Sequence, residues 1–266
     1  MKAKLIVVIL SLQIISCAGG LPSKKRLIID KQVYSYALSG SGEATVVFQS
    51  GGGDGMDIWE PVFSSVGNFA KVFAYDRPGY GKTHKSKQPR TGKQITAELR
   101  SLLKKAGLNP PYVLVAHSLG GLYAMHFART YPNEVSGMVL IDSAHPDQAK
   151  KCEEYLPKER CRPSELDKIP EPLRSELKGF DQTSNQIKRA GKFPNIPLVV
   201  LVGAHPDRGE EFLEFWLALQ KEFAAKVEGS RLIATEKSGN YIHHQEPALV
   251  IHAIQNVVDK VAAEGR

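Results

Sequence analysis

Cysteine and tryptophan are scarce in this chain, at three and two of 266 residues. So few cysteines exclude both a disulfide-stapled miniprotein and a multi-cysteine metal ribbon. No apolar run reaches the length that a membrane-spanning helix needs, and no internal repeat points to a solenoid or a propeller. A dinucleotide fingerprint is missing as well: the cluster Gly51, Gly53, Gly55 has Met56 where the last glycine of G-x-G-x-x-G belongs. Neither Cys152 nor Cys161 has a close histidine or cysteine at ligand spacing, and the adjacent side chains of His243 and His244 rarely converge on one ion. No metal, nucleotide or redox cofactor is implied. Basic residues outnumber acidic ones, 35 to 28, for a net charge of +7. They are interleaved with acids rather than gathered into a stripe, which suits a solvated surface and excludes a nucleic-acid partner.

What is present describes one globular domain, 42% hydrophobic, behind a short leader. Lys2 and Lys4 precede an apolar run over residues 5–15, too short to span a bilayer in the mature protein. The run ends in Ile14-Ile15-Ser16-Cys17, which resembles the lipobox of bacterial lipoproteins. The resemblance implies a signal peptide over residues 1–16 and a mature chain, 17–266, lipidated at Cys17 and anchored to a membrane of the cell envelope. Ala18, not aspartate, follows Cys17, which favours the outer membrane in a two-membrane host. In such an oxidising compartment Cys152 and Cys161 are expected to pair.

Along the chain, residues 27–30, 32–38 and 44–48 read as an antiparallel start of strands. Helix and strand patterns then alternate: helix 58–69, strand 71–75, helix 93–106, strand 112–116, helix 119–131 and strand 137–141. Such alternation calls for an α/β fold with a mainly parallel sheet and helices on both faces. Residues 143–195 break the rhythm with charges, prolines and the two cysteines, and read as a short cap or lid insertion. Strand 197–202, helix 210–226, strand 231–234 and helix 247–262 resume it. Trp59 and Trp216 lie near these helices and read as packing residues.

The chemistry centres on Val115-Ala116-His117-Ser118-Leu119-Gly120-Gly121, where a buried strand turns into a helix. Small residues flank Ser118 because a nucleophile at so tight a turn leaves no room for side chains, and the helix N-terminus offers N–H groups to a developing oxyanion. Upstream, Gln49-Ser50-Gly51-Gly52-Gly53 follows a strand, and Tyr75-Asp76-Arg77-Pro78-Gly79-Tyr80-Gly81 follows the next. Together these three motifs resemble the α/β-hydrolase fold family, with Ala116 in the first glycine position of G-x-S-x-G and Ser50 in place of an oxyanion-loop histidine. The resemblance implies that Ser118 attacks an ester-like carbonyl of a small-molecule substrate. It also places the oxyanion at the N–H groups of Leu119 and of Gly52 or Gly53.

The same resemblance asks for an acid and then a histidine downstream. Asp207, one residue beyond the usual spacing after strand 197–202, and Asp142, at the end of the strand before it, both qualify as the acid. The histidine position of the last loop holds Asn240, in Ser238-Gly239-Asn240-Tyr241-Ile242-His243-His244. An asparagine cannot accept and return a proton at neutral pH. Two expectations follow: either His243 supplies the imidazole, with His244 the weaker candidate, or the chain is a degenerate hydrolase that binds a ligand or an envelope partner. The lipidation expectation is checked in a bacterial host: labelled palmitate is incorporated into the wild type and not into Cys17→Ser.

Overall fold

The computed structural model describes residues 21–161 and 165–265. The leader 1–16 and Cys17 lie outside the described residues. Eight strands form one sheet in the order β1-β2-β4-β3-β5-β6-β7-β8. β1 (Lys25–Ile29), β2 (Gln32–Ser39) and β4 (Lys71–Asp76) pair antiparallel, β1 with β2 and β2 with β4. β3 (Thr45–Gln49), β5 (Tyr112–His117), β6 (Val135–Ile141), β7 (Leu198–Gly203) and β8 (Arg231–Thr235) extend it in parallel from β4.

The central strands are apolar on both sides, and their two-residue period divides them between two cores. On β5, Leu114 and Ala116 face one core while Val113 and Val115 face the other. The first core is closed by α2 (Gly92–Lys105), α3 (Gly120–Thr130) and α8 (Glu210–Ala224), through residues such as Leu99, Phe127 and Leu219. The second is closed by α1 (Glu60–Gly67) and α10 (Pro247–Ala263), through Phe63 and Val257 among others. The expected α/β-hydrolase architecture, parallel in its main body with helices on both faces, is the one observed.

The insertion after β6 contains no strand among its described residues. It holds α4 (Gln148–Tyr155), α5 (Lys158–Cys161), α6 (Leu173–Lys178) and α7 (Phe180–Arg189). α7 is pinned to the start of α2: Thr183 Oγ1 accepts from the Gly92 N–H at 2.9 Å, and Gln186 Oε1 from that of Lys93 at 2.8 Å. α6 lies over the loop that follows β3, with Leu173 against Gly52. No described helix is long and apolar enough to cross a membrane.

A disulfide joins Cys152 on α4 to Cys161 on α5, nine positions apart in sequence, with Cα atoms 5.5 Å apart. A closed loop of that size restricts the unfolded chain and is worth about 2–3 kcal/mol. Reduction with dithiothreitol, or Cys152→Ser, is therefore expected to lower the urea midpoint by that amount divided by the m-value. An unchanged midpoint would show that the cap is held by its packing alone.

Candidate active site

Ser118 stands at the end of β5 with φ +48, in the left-handed region that non-glycine residues avoid. Three backbone hydrogen bonds hold it there. Its N–H donates to Ile141 O (3.0 Å), and its carbonyl accepts from the N–H groups of Gly121 and Ala144, both at 3.0 Å. The turn closes only because Gly120 lacks a side chain: a Cβ there would sit 2.5 Å from the carbonyl oxygens of Gln49 and Ser50. Strained backbone kept by so many constraints is characteristic of functional turns. Ser118 is partly exposed, and among the described residues its Oγ has no hydrogen-bond partner.

The loop after β3 faces this turn. A Cβ on Gly52 would lie 3.0 Å from Leu119 Cδ2, so Gly52 and Leu119 are neighbours. Neither of their amides has an acceptor among the described residues, whereas the Gly53 N–H donates to Tyr80 Oη at 3.0 Å. Of the two expected glycine donors, Gly52 is the free one.

The two candidate acids have different surroundings. Asp207 sits in a short turn after β7 with a side chain 91% exposed, 3.4 Å from His205 Nδ1. It takes no part in the cluster around Ser118. Asp142 follows Ile141, the residue that holds the Ser118 N–H, and is fully buried with φ +43. Its Oδ1 accepts from Trp216 Nε1 (2.6 Å), Arg208 Nη1 (3.0 Å) and the Gly203 N–H (3.1 Å). Its Oδ2, equally buried, has no hydrogen-bond partner among the described residues. Gly203 in turn abuts the Gly239 backbone, where any side chain on it would clash, so the Asp142 carboxylate lies beside the loop that carries Asn240.

The placement of His243 departs from what a base requires. Near the start of α9 (Ile242–Gln245) it points into the second core and is completely buried. Its ring packs 4.8 Å from Trp59 and 4.7 Å from His117, and among the described residues neither nitrogen has a hydrogen-bond partner, so it is bonded neither to Ser118 nor to a carboxylate. Burial, with smaller contributions from His117 and His244, pushes its pKa down to about 2. His244 is exposed on the same short helix. His117 is also committed: Nε2 lies 3.0 Å from the Asn240 carbonyl, which can only accept, so Nε2 carries the proton. Its Nδ1 stands 3.6 Å from Asp54 Oδ2, too far for a hydrogen bond. Among the described residues no imidazole is thus bonded to Ser118.

Residues 44–162 match the family model described as alpha/beta hydrolase fold. YqjL of Bacillus subtilis (strain 168), itself uncharacterized, is 33% identical over 221 residues, 82% of this chain and 85% of YqjL. The chain belongs to the α/β-hydrolase fold family. A pimeloyl-[acyl-carrier protein] methyl ester esterase of Wigglesworthia glossinidia brevipalpis is 30% identical over 111 residues, 42% of this chain and 40% of that enzyme. Among solved structures, a haloalkane dehalogenase loop variant from Bradyrhizobium elkanii shares the fold with a TM-score of 0.71 at 17% identity, covering 92% of this chain and 99% of that one. These relatives support a hydrolase function in general terms.

Several side chains of this hydrolase-fold site escape a sequence reading. Trp216 and Trp59 do pack, but their indole N–H groups also reach Asp142 Oδ1 and, at 3.0 Å, Ser50 Oγ. A buried indole needs an acceptor, and that need is the only signal that pointed to them. Arg208, next to Gly209 in the turn after β7, carries none.

Burial also holds His126 and His145 near pKa 4. With His243 they stay neutral in the fold and take up protons on unfolding below the ordinary value of 6.5. Their contribution is therefore fully present above pH 6.5 and shrinks as the pH falls toward 4, by up to about 1.4 kcal/mol per pH unit for each group. Urea unfolding at pH 7.5, 6 and 5 is expected to show this steepening loss, and His243→Gln to reduce its slope. A flat profile would contradict the neutral assignment.

Proposed function

We propose that the chain is a serine hydrolase for ester-like carbonyls, working without an assembled imidazole base and so suited to acyl groups with good leaving groups, such as thioesters. The observation that carries this reading is the strained, partly exposed Ser118 beside the unpaired amides of Gly52 and Leu119. Ser118 Oγ adds to the carbonyl carbon and gives its proton to solvent, while the oxyanion takes the two N–H groups. The thiolate or alkoxide leaves with the electron pair of the broken bond. Water then cleaves the acyl-serine to a carboxylate. An oxyanion site and binding alone sustain about 10³–10⁴-fold acceleration over water when triad members are missing. In this reading Asp142 is the acid, and its Oδ2 has no imidazole partner among the described residues, the family's histidine position being Asn240 in this sequence. A lipid anchor at Cys17 would tether the site to the envelope membrane.

Asn240 also supports a second reading, a non-catalytic site that binds an acyl ligand or an envelope partner. One experiment separates the two: hydrolysis of p-nitrophenyl acetate by the wild type, Ser118→Ala, Asn240→His and His243→Ala between pH 5 and 9. The hydrolase reading expects slow wild-type turnover, abolished by Ser118→Ala and rising about tenfold per pH unit, because no side chain takes the proton. Asn240→His is expected to raise the rate by about 10² or more and to introduce an inflection near pH 6.5. His243→Ala is expected to retain the wild-type rate, and a loss equal to that of Ser118→Ala would return the base role to His243. Inactivity of both the wild type and Asn240→His would leave the binding reading.

A further inference from the structure

The loop that offers the Gly52 amide is gripped from two directions. Arg77, 2% exposed, sends Nη1 to Ser50 O and Nη2 to Gly51 O, both at 2.7 Å. The same guanidinium meets a carboxylate of the cap: Arg77 Nε and Nη2 donate to Glu176 Oε1 (2.6 Å) and Oε2 (3.0 Å), and Glu176 is fully buried on α6. Glu176 Oε2 also accepts from Tyr80 Oη at 2.8 Å, and Tyr80 Oη accepts the Gly53 N–H. Around Gly52, then, the preceding carbonyl and the following amide are both fixed by groups that converge on Glu176.

Peptide planarity turns this grip into an aim. In a trans peptide the carbonyl of one residue and the N–H of the next lie in one plane and point in opposite directions. Anchoring Gly51 O on Arg77 therefore sets the direction of the Gly52 N–H. Arg77 has five N–H donors in a rigid fork and makes four hydrogen bonds here, more than the three donors of a lysine could supply. A buried ion pair is a poor source of net stability, since desolvation offsets most of its attraction. Orientation is what this pair supplies.

We infer that Glu176, acting through Arg77 and Tyr80, is a positioning residue that aims the Gly52 N–H at the oxyanion, making the cap a structural part of the oxyanion hole. For its consequence in catalysis this rests on Ser118 being the nucleophile, whereas the positioning itself does not. α6 cannot lift without releasing Arg77 and with it the Gly51–Gly52 peptide. The cap of this chain is a clamp on the catalytic loop and not only a lid over it.

The test compares Glu176→Gln and Tyr80→Phe with Thr183→Val, which loosens the cap at its contact with α2 and leaves the Arg77 cluster alone. Ser118 is labelled with a fluorophosphonate, and the maximal labelling rate is separated from the concentration dependence. Glu176→Gln is expected to lower the maximal rate by about 10- to 100-fold, the scale of a misaimed catalytic group, with half-saturation within about twofold of wild type. Tyr80→Phe is expected to act in the same direction and less, and Thr183→Val to leave the maximal rate unchanged. Equal effects of Glu176→Gln and Thr183→Val, or no effect in folded Glu176→Gln and Tyr80→Phe, would overturn the inference. If the wild type takes no label, the nucleophile reading fails by itself, and amide resonances decide the positioning. Gly52 and Gly53 signals that move in Glu176→Gln but not in Thr183→Val support it, and signals that stay put refute it.

Discussion

A single backbone turn governs the layout of this protein: β5 must stop and α3 must begin within two residues, with Ser118 at φ +48 between them. L-residues resist that conformation, so neighbouring strands have to hold it. β6 and the segment after it do so through Ile141 and Ala144, and the β3 loop does so by coming close enough to require a glycine at position 120. The strand order follows the same need. With β5 central, the ends of β3, β6 and β7 gather around the elbow, and each delivers one component: the Gly52 amide, a buried carboxylate, and the loop contacts that shape its surroundings.

Against that assembled frame the absence of an imidazole is a local substitution rather than a collapse of the site. Asn240 keeps the backbone of its loop in place, since its carbonyl accepts a hydrogen bond from His117 Nε2. Asp142 keeps three donors on one oxygen and leaves the other bare inside the protein. An unpartnered buried carboxylate oxygen is costly, and this one lies beside the loop that carries Asn240. His243 does not replace that partner. Its ring fills a hydrophobic gap against Trp59, and bringing it to Ser118 would mean turning it out of the core.

Much of the fold was legible because helix and strand periods are local. The strands read at 71–75 and 112–116 differ from the observed Lys71–Asp76 and Tyr112–His117 by one residue, and the insertion lies where the alternation of patterns breaks off. The elbow was legible for the same reason, since small residues must flank it in sequence. The contrast between the two candidate acids was not: the buried setting of Asp142 depends on Trp216 and Arg208, more than sixty residues away, and that of Asp207 on the exposure of a turn after β7. Glu176 was invisible, being 99 positions from Arg77 in an insertion with no readable pattern. His243 misled because sequence gives the distance along the chain to an empty position, not the direction in which the next side chain points. The leader and the lipidation expected at Cys17 concern residues outside those described.

The central claim is that Ser118 forms an acyl-enzyme in the absence of a bonded base. Peptide-level mass spectrometry of the wild type after exposure to an acetyl thioester tests it most directly. The account predicts an acetyl group on the peptide containing Ser118, accumulating because its hydrolysis lacks a base, and absent in Ser118→Ala. An unmodified Ser118 under conditions where the protein is folded, or acetylation confined to other residues, would contradict it.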